Sequence, residues 1–492
     1  MPLNATELLV QLAQPRGMPL RVRLAMALRD AIRSGRVATG TVLPSTRLLA
    51  QDLGVSRGVV VDAYAQLTAE GYLRSRPGSA TSVSFARTAA PPERWFDRPS
   101  ALVRPELDLR PGWPDLSAFP RAVWAAAERD VLRELPDADL GYVEPWGLWE
   151  LRRQLAQYLA RVRGAVTAPG GIVIVNGVTQ GITLICRLLG EGGALPLALE
   201  DPSNAIQRQM LARLGVPTID IPVDDGGLRV DALAASPARV VLCTPAHQYP
   251  TGVVLSPERR DQLLRWAGRV GGLVIEDDYD AEFRYERAPL GCLQGMDPDH
   301  VALLGSVSKT LAPALRIGWV LTPPRLLPAL RQIKRDSDFG SNALAQAVFA
   351  RLLQSGQYDR HLRFLRRRYR QRRDALVRAI EGWLPGWEVM GGGGGLHLTV
   401  ELPSGLEEAK LVTAAAHLGL AVLGLQAMSQ SGTSGPGIVL SYARATPDTC
   451  DDAVRRLRQA AAMVDRVTPE MEAATASGSL LWLDAGESQH SR

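Results

Sequence analysis

The period of the apolar positions changes along the chain, and each change marks an element. Leu20, Leu24, Leu28 and Ile32 recur every four residues, which puts them on one helical face. Gly35 ends that stretch. Pro44-Ser45-Thr46-Arg47 opens a second helix with Ser45 as its cap; it runs through Leu48, Leu49 and Leu53 and halts at Gly54. Ser56 caps a third helix, whose inner face is Val60, Tyr64 and Leu67. Gly71-Tyr72-Leu73-Arg74-Ser75-Arg76-Pro77-Gly78 then predicts a strand, a turn and a strand ending near Val83. A stretch without helical or strand period follows, containing Ala89-Ala90-Pro91-Pro92, and reads as a linker. Farther on, β-branched runs at 172–175, 240–243, 273–276 and 301–304 alternate with longer amphipathic stretches. That alternation predicts a mainly parallel sheet covered by helices, with ligands at the carboxyl ends of the strands. Residues 360–373 hold nine Arg or His in fourteen, with Leu362, Leu365 and Tyr369 spaced as an inner face, which predicts a solvated helix with one buried stripe. A five-glycine run at 391–395 leads into a strand at 396–400, where His397 reads as packed.

Composition narrows the class. The 492 residues are 46% apolar and 22% charged, which excludes a largely disordered chain. The longest apolar runs fall far short of the roughly 18 residues that span a bilayer. The start has no basic region with an apolar core behind it, and Cys186, Cys243, Cys292 and Cys450 show no pairing or metal spacing. A reduced cytoplasm with buried thiols is the expectation, with no membrane partner. Residues 1–90 hold 11 Arg and 5 Asp or Glu, a net of 11 − 5 = +6, whereas the whole chain is +5, so residues 91–492 sum to 5 − 6 = −1. The positive charge therefore sits in the first segment, where a nucleic acid would need it. Of 56 basic residues only Lys309, Lys334 and Lys410 are lysines, so primary-amine chemistry has three candidates. Lys334 and Lys410 lie in charged or polar stretches and read as solvated surface.

Helix, short helix, Gly turn, helix and hairpin describe a winged helix-turn-helix. Its third helix would enter the major groove of double-stranded DNA by its N-terminus, at Ser56, Arg57 and small Gly58. Arg47 opens the preceding helix, and Arg74 and Arg76 sit on the wing, as guanidinium forks for phosphate oxygens and guanine edges. Residues 19–83 resemble the GntR family of bacterial regulators through Leu43-Pro44-Ser45-Thr46-Arg47-Leu48-Leu49-Ala50, Leu53-Gly54-Val55-Ser56-Arg57 and Glu70-Gly71-Tyr72-Leu73. The family's wing usually reads Gly-Ser-Gly; here it is Gly78-Ser79-Ala80.

The strand ends of the larger part carry chemistry. Strand 172–175 runs into Asn176-Gly177-Val178-Thr179, a Gly-bearing loop into a helix that offers N–H groups to an anion. Strand 273–276 runs into Asp277-Asp278-Tyr279-Asp280, and strand 301–304 into Gly305-Ser306-Val307-Ser308-Lys309, with Arg316 seven residues on. A lysine that can form an imine, serines and an arginine for a phosphate, a carboxylate for a pyridinium and a phenol for a hydroxyl together describe pyridoxal 5′-phosphate. Residues 107–464 resemble fold-type I pyridoxal-phosphate enzymes of the aspartate aminotransferase class, an α/β fold with large and small subdomains.

The resemblance maps the Schiff-base lysine to Lys309 and the pyridinium partner to Asp277. It maps the phosphate ligands to Ser306, Ser308, Arg316, Val178 and Thr179. Tyr142 matches the tyrosine that reaches the phosphate of the partner subunit in a homodimer. A winged reader fused to this fold resembles the MocR group of GntR regulators, whose tags include Thr244-Pro245-Ala246-His247-Gln248-Tyr249-Pro250-Thr251-Gly252 and Glu276-Asp277-Asp278-Tyr279-Asp280-Ala281-Glu282-Phe283. In that group Tyr279 would hold the cofactor hydroxyl. Tyr249 stands where the enzymes carry Asn beside the cofactor. Asn204 stands where an aromatic ring usually stacks on the pyridine, and Val439 where the substrate-carboxylate arginine belongs. Arg444 or Arg208 could substitute for the latter. The domains implied are 12–84 (winged helix-turn-helix), 85–106 (linker), 107–464 (aminotransferase-like effector and dimerisation domain) and 465–492 (disordered tail). The expected function is a transcription regulator that senses pyridoxal phosphate or an amine reacting with it, rather than an enzyme. The alternative is a pyridoxal-phosphate aminotransferase with an accessory DNA domain.

Overall fold

The computed structural model describes residues 18–75, 80–84, 105–193, 196–285, 290–391, 393–432, 434–468 and 471. Two compact units are present, one ahead of residue 103 and one from it onward. In the first, α1 (Leu20–Arg33), α2 (Thr46–Leu53) and α3 (Arg57–Ala69) precede a two-stranded antiparallel ribbon of β1 (Leu73–Arg74) and β2 (Ser82–Val83). Leu24, Leu28 and Ile32 of α1 are fully buried and pack with Leu49 and Leu53 of α2 and with Val60, Tyr64 and Leu67 of α3. Each such side chain contributes about 1.5–3 kcal/mol by leaving water. Ser45 caps α2 by accepting from the Leu48 N–H (3.2 Å), and α2 stops at Gly54 in the left-handed conformation (φ 62°), where a side chain would add strain. Ser56 sits at the N-cap of α3 but its hydroxyl accepts no cap bond, so it marks the helix start by backbone conformation alone. The Tyr64 hydroxyl donates to the Pro44 carbonyl (3.0 Å) and ties α3 to the entry of α2.

The second unit begins with β3 (Leu107–Asp108), α4 (Arg121–Glu134) and α5 (Trp149–Arg163). It continues through β4 (Ile172–Val175), α6 (Val178–Glu191), β5 (Leu197–Asp201), α7 (Ala205–Arg213), β6 (Thr218–Asp224), β7 (Gly227–Leu228) and α8 (Val230–Ala235). Next come β8 (Val240–Cys243), α9 (Pro257–Val270), β9 (Leu273–Asp278), β10 (Val301–Ser306), β11 (Gly318–Leu321), α10 (Leu327–Asp338), α11 (Ala343–Gln354) and α12 (Gln357–Trp383). The last part is β12 (Glu388–Met390), β13 (His397–Glu401), α13 (Glu408–His417), β14 (Leu420–Ala421), β15 (Leu423–Gly424), β16 (Gly437–Ser441) and α14 (Pro447–Ala461).

An eight-stranded sheet runs in the order β4-β11-β10-β9-β8-β5-β6-β7. It is mainly parallel; β11 is antiparallel to both neighbours and β7 to β6. Alternate residues of β4 explain its unbroken apolar run. Ile172 and Ile174 join a core with Leu151, Leu155 and Leu159 of α5, while Val173 and Val175 join another with Ile182 and Ile185 of α6. A smaller antiparallel sheet, β12-β13-β16-β15, forms the second subdomain. Its Leu398 and Val400 pack with Leu376 and Ile380 of α12 and Val454 and Leu457 of α14. Period two turns His397 and Thr399 of β13 the other way, where both side chains bond the Pro250 carbonyl. The five-glycine run lies between β12 and β13; its Gly392 is outside the described residues.

Some expectations need correction. Lys334 is fully buried, because its ammonium finds a carboxylate one turn ahead, and Arg372 and Arg373 of α12 are buried rather than solvated. Arg372 reaches back to buried Asp115 (2.9 Å), which compensates its charge. Val464–Arg466 form a turn of 3-10 helix, with Val464 packed on the small subdomain, so the tail does not begin at 465. Arg76, nearly all of the linker and residues 472–492 lie outside the described residues. All four cysteines are buried free thiols. Among the described residues no helix is long and apolar enough to cross a membrane.

Candidate functional site

Strand register gathers the polar residues of the large sheet at one edge. Val175, Gly318 and Ser306 are Cα partners across β4, β11 and β10, and Gly305 pairs with Asp278 of β9. Near these positions in the chain lie Val178 and Thr179 at the start of α6, Arg316 ahead of β11, Ser308 and Lys309 after β10, and Tyr279 after β9. Gly177 is the N-cap of α6 with φ 83°; a Cβ there would lie 2.9 Å from Arg316 Nη2. Arg316 takes left-handed backbone itself (φ 51°) and donates to the Asn176 carbonyl, so its guanidinium lies against the start of α6. Val178 and Thr179 are the first two residues of that helix, whose leading N–H groups have no helical acceptor. The Ser308 N–H donates to Ser306 Oγ (3.3 Å). Backbone donors, hydroxyls and a guanidinium thus lie at neighbouring strand ends.

Asp277 is 6% exposed. Its Oδ2 accepts from Gln207 Nε2 at 3.0 Å, while its buried Oδ1 has no hydrogen-bond partner among the described residues. Burial pushes the carboxyl up to about 6. Lys309 donates from Nζ to the Gly112 carbonyl, and burial holds its amine below the usual lysine range against the pull of Asp277 and Asp280. Tyr279 is tied to His247, whose Nδ1 lies 2.9 Å from the phenol oxygen and 2.9 Å from Asp280 Oδ2. Tyr249 sets its ring edge-on to Tyr279 (5.9 Å between centroids) and to His397 (5.2 Å). Its backbone N–H donates to Thr244 Oγ1, which itself donates to buried Glu200 (2.7 Å). Tyr249 packs on an apolar cluster of Leu425, Met428 and Val439, so Val439 serves as wall. Asn204 caps α7 by accepting from the Ile206 and Gln207 N–H groups. That cap sets the first turn from which Gln207 reaches Asp277.

The two alternative arginines are both engaged within the chain. Arg208 donates to Ser203 (2.7 Å), pairs with Asp201 and Asp220 and is 10% exposed; Arg444 pairs with Asp108 at 3.0 Å. Tyr142 is 97% exposed. Sequence reasoning missed Gln207 and the link from His247 to Asp280. Asn204 three residues ahead of Gln207 was the available signal for the first, since that spacing puts both in one helical turn.

In the first unit Arg47 and Arg57 are exposed at the starts of α2 and α3, 3.4 Å separating Arg57 Nε from Thr46 Oγ1. Gly58 is open: a Cβ there would meet nothing nearer than Ser56 Oγ at 4.0 Å. Arg74 is exposed on the ribbon. Arg57 and Gly58 make the start of α3 basic and sterically open, with Arg47 exposed on α2 and Arg74 on the ribbon.

Residues 20–83 match the family described as bacterial regulatory proteins, gntR family, and residues 108–457 match aminotransferase class I and II. The chain is 30% identical to the probable rhizopine catabolism regulatory protein MocR of Rhizobium meliloti, over 90% of this chain and 94% of that one. It is 34% identical to the HTH-type pyridoxine biosynthesis transcriptional regulator PdxR of Corynebacterium glutamicum, over 89% and 94%. In fold it is similar to the α-aminoadipate aminotransferase LysN of Thermus thermophilus, solved with N-(5′-phosphopyridoxyl)-L-leucine (TM-score 0.66, 27% identity, 74% of this chain and 93% of that one). A gntR-type reader continuous with a fold-type I aminotransferase domain, in the order and extent of these regulators, places the chain in the MocR/PdxR group of GntR-family transcription regulators.

Proposed function

We propose that the aminotransferase-like domain of this regulator binds pyridoxal 5′-phosphate and senses either that compound or an amine or amino acid that reacts with it, while the gntR-type domain holds double-stranded operator DNA. The observation that carries this is Asp277. A buried carboxylate with one unpaired oxygen costs stability unless a cationic donor completes it. A protonated pyridine nitrogen is such a donor, and Gln207 holds the other oxygen so that the free one stays aimed. The surroundings fit the remainder of the molecule. Lys309 supplies the primary amine, with its proton affinity lowered by burial, as a nucleophile needs. Val178, Thr179, Ser306, Ser308 and Arg316 supply donors for a phosphate, and Tyr279 a phenol for the ring hydroxyl, with Tyr249 closing the pocket beside it. Tyr142 reaches toward the phosphate of the partner subunit in a homodimer. When bound, pyridoxal phosphate supplies an aldehyde that condenses with primary amines. Two relatives whose names concern rhizopine catabolism and pyridoxine biosynthesis support a small nitrogenous effector.

The chain's own residues do the sensing. Lys309, three residues past the end of β10, donates to the Gly112 carbonyl within the field of Asp277 and Asp280. The His247–Asp280 pair fixes the Tyr279 phenol. Val439 and the apolar wall beside Tyr249 offer no cation for a substrate carboxylate, which favours sensing over turnover. Borohydride reduction of the protein with pyridoxal phosphate should attach the label at Lys309, and Lys309→Ala should abolish it. Label persisting at Lys334 or Lys410 would overturn the assignment. Steady-state transamination near background with a panel of amino donors is the companion expectation; robust turnover would make this an aminotransferase with an accessory DNA domain.

A further inference from the structure

Of three lysines in the chain, the one at position 334 has a fully buried side chain. Its Nζ meets three acceptors: Asp338 Oδ1 at 2.7 Å, Asp338 Oδ2 at 2.6 Å and Ser341 Oγ at 3.1 Å. Three protons on a compact ammonium match three acceptors converging on one point, which a planar guanidinium would not. That accounts for lysine in a chain whose basic residues are otherwise nearly all arginine. Burying this charge is costly, and a stable helix end does not require it. The pair therefore needs another reason, and Asp338 shows where it lies.

The Asp338 carboxylate collects further donors. Gly340 N–H reaches Oδ1 (3.0 Å), and Gln180 Nε2 and Asn176 Nδ2 reach Oδ2 (2.7 and 3.1 Å). Gln180 in turn accepts the Asn176 N–H with Oε1 at 2.7 Å. Asn176 and Gln180 flank Gly177, Val178 and Thr179. Asp338 thus grips both ends of the turn that aims the first N–H groups of α6, while Arg316 takes the Asn176 carbonyl. A bare carboxylate behind an anion-binding loop would repel the anion. Lys334 cancels that charge, so the loop gains orientation without the repulsion.

We infer that Lys334 and Asp338 are a positioning pair for phosphate recognition: they touch no ligand themselves and set the Asn176–Thr179 turn in the geometry that selects a phosphorylated pyridoxal over its dephosphorylated form. This rests on the reading that the turn holds the cofactor phosphate. Pyridoxal, which shares the ring and aldehyde but lacks the phosphate, separates an effect on the turn from an effect on the fold. Binding of pyridoxal phosphate and of pyridoxal is to be measured by absorbance titration of the full-length wild type, Gln180→Leu and Lys334→Met. Gln180→Leu removes the shorter of the two side-chain ties between Asp338 and the turn, leaving that from Asn176, and creates no buried charge, so it carries the test if Lys334→Met does not fold. Loss of one charge-assisted bond acting through a loop should weaken pyridoxal phosphate about tenfold and change pyridoxal less than about twofold. Parallel losses for both ligands, or no loss for either, would overturn the positioning role. A wild-type protein that binds the two ligands equally would overturn both this role and the phosphate reading beneath it.

Discussion

Asp277 concentrates the energetics of the pocket in one side chain, because Gln207 bonds one carboxylate oxygen while the other, also buried, has no partner among the described residues. Asp277→Ala should weaken pyridoxal phosphate binding about ten- to hundredfold, the worth of one charge-assisted bond, in an absorbance titration. An unchanged affinity would remove it as the pyridinium partner. Its titration also has a sign. Burial raises Asp277 to about 6, and raises Glu200 and Glu276 to about 7, all above the roughly 4 of unfolded carboxyls. A group raised in the folded state contributes stability that is fully present below its unfolded pKa and is lost as pH rises through its folded one. The thermal midpoint of the ligand-free protein should therefore fall as pH climbs through 6 to 7, and a scanning calorimetry series in matched salt checks it. A rising midpoint across that window would assign the balance to other groups. These residues were unequally legible in the sequence. Lys309, Asp277 and Ser306 announce themselves because they follow apolar runs. Gln207 and Asp338 act across 70 and 162 residues of chain, on Asp277 and Asn176, and local pattern carries no sign of that. Lys334 misleads outright, since charged neighbours at Arg331, Arg335 and Asp336 surround it in sequence while its own side chain turns inward.

Elements were legible where burial is uniform. The runs at 172–175 and 240–243 are strands over those same residues, because helices cover both sheet faces and demand an apolar residue at every position. The runs at 273–276 and 301–304 extend instead to Asp278 and Ser306, and hydrophobicity cannot mark a strand end that becomes the site. Two-residue strands such as β7 and β15 are set by their partners and have no period to read. Helix starts give two predictions. At α6, Gly177→Ala introduces a side chain at φ 83° that would meet Arg316 at 2.9 Å. It should displace the guanidinium and weaken pyridoxal phosphate more than pyridoxal in the same titrations, whereas equal weakening would mean a general loss of structure. At α3, Arg57 stands beside an open Gly58. Arg57→Ala should cost about 1–3 kcal/mol of operator affinity if the guanidinium reads a guanine. Equal loss on operator and random DNA would identify a phosphate contact, and no loss would take it out of the interface.

For the molecule as a whole, the proposed function raises the question of how a pocket in the aminotransferase-like domain would alter DNA binding by the gntR-type domain. A ligand shifts a two-state equilibrium only by its difference in affinity for the two states, so the pocket must differ between the DNA-favoured and DNA-disfavoured forms. The parts that can differ are those completed from outside one chain. Tyr142, 97% exposed, has its proposed role only when a partner subunit brings a phosphate to it. The segment behind it is packed rather than free. The Leu148 N–H donates to Gln346 Oε1 (2.9 Å), Gln346 Nε2 donates to the Ser341 carbonyl (3.0 Å), and Ser341 accepts from Lys334. One continuous set of hydrogen bonds therefore joins the turn at Asn176, through Asp338 and Lys334, to the segment that carries Tyr142 out of the subunit. Filling one phosphate site would stiffen the arm that completes the other, which couples occupancy to the dimer. An amine that took the place of Lys309 would act at the lysine end and not at the residues proposed to hold the phosphate, so the coupling should be modest, about 1–3 kcal/mol or a five- to 150-fold change in operator affinity. Titrating operator with the ligand-free protein, with added pyridoxal phosphate and then with candidate amines, at fixed salt and with DNA below the dissociation constant, measures it. Gln180→Leu should reduce the difference between the first two states, because it interrupts the same connection. Equal operator affinity in all three states would reduce the aminotransferase-like domain to a dimerisation scaffold.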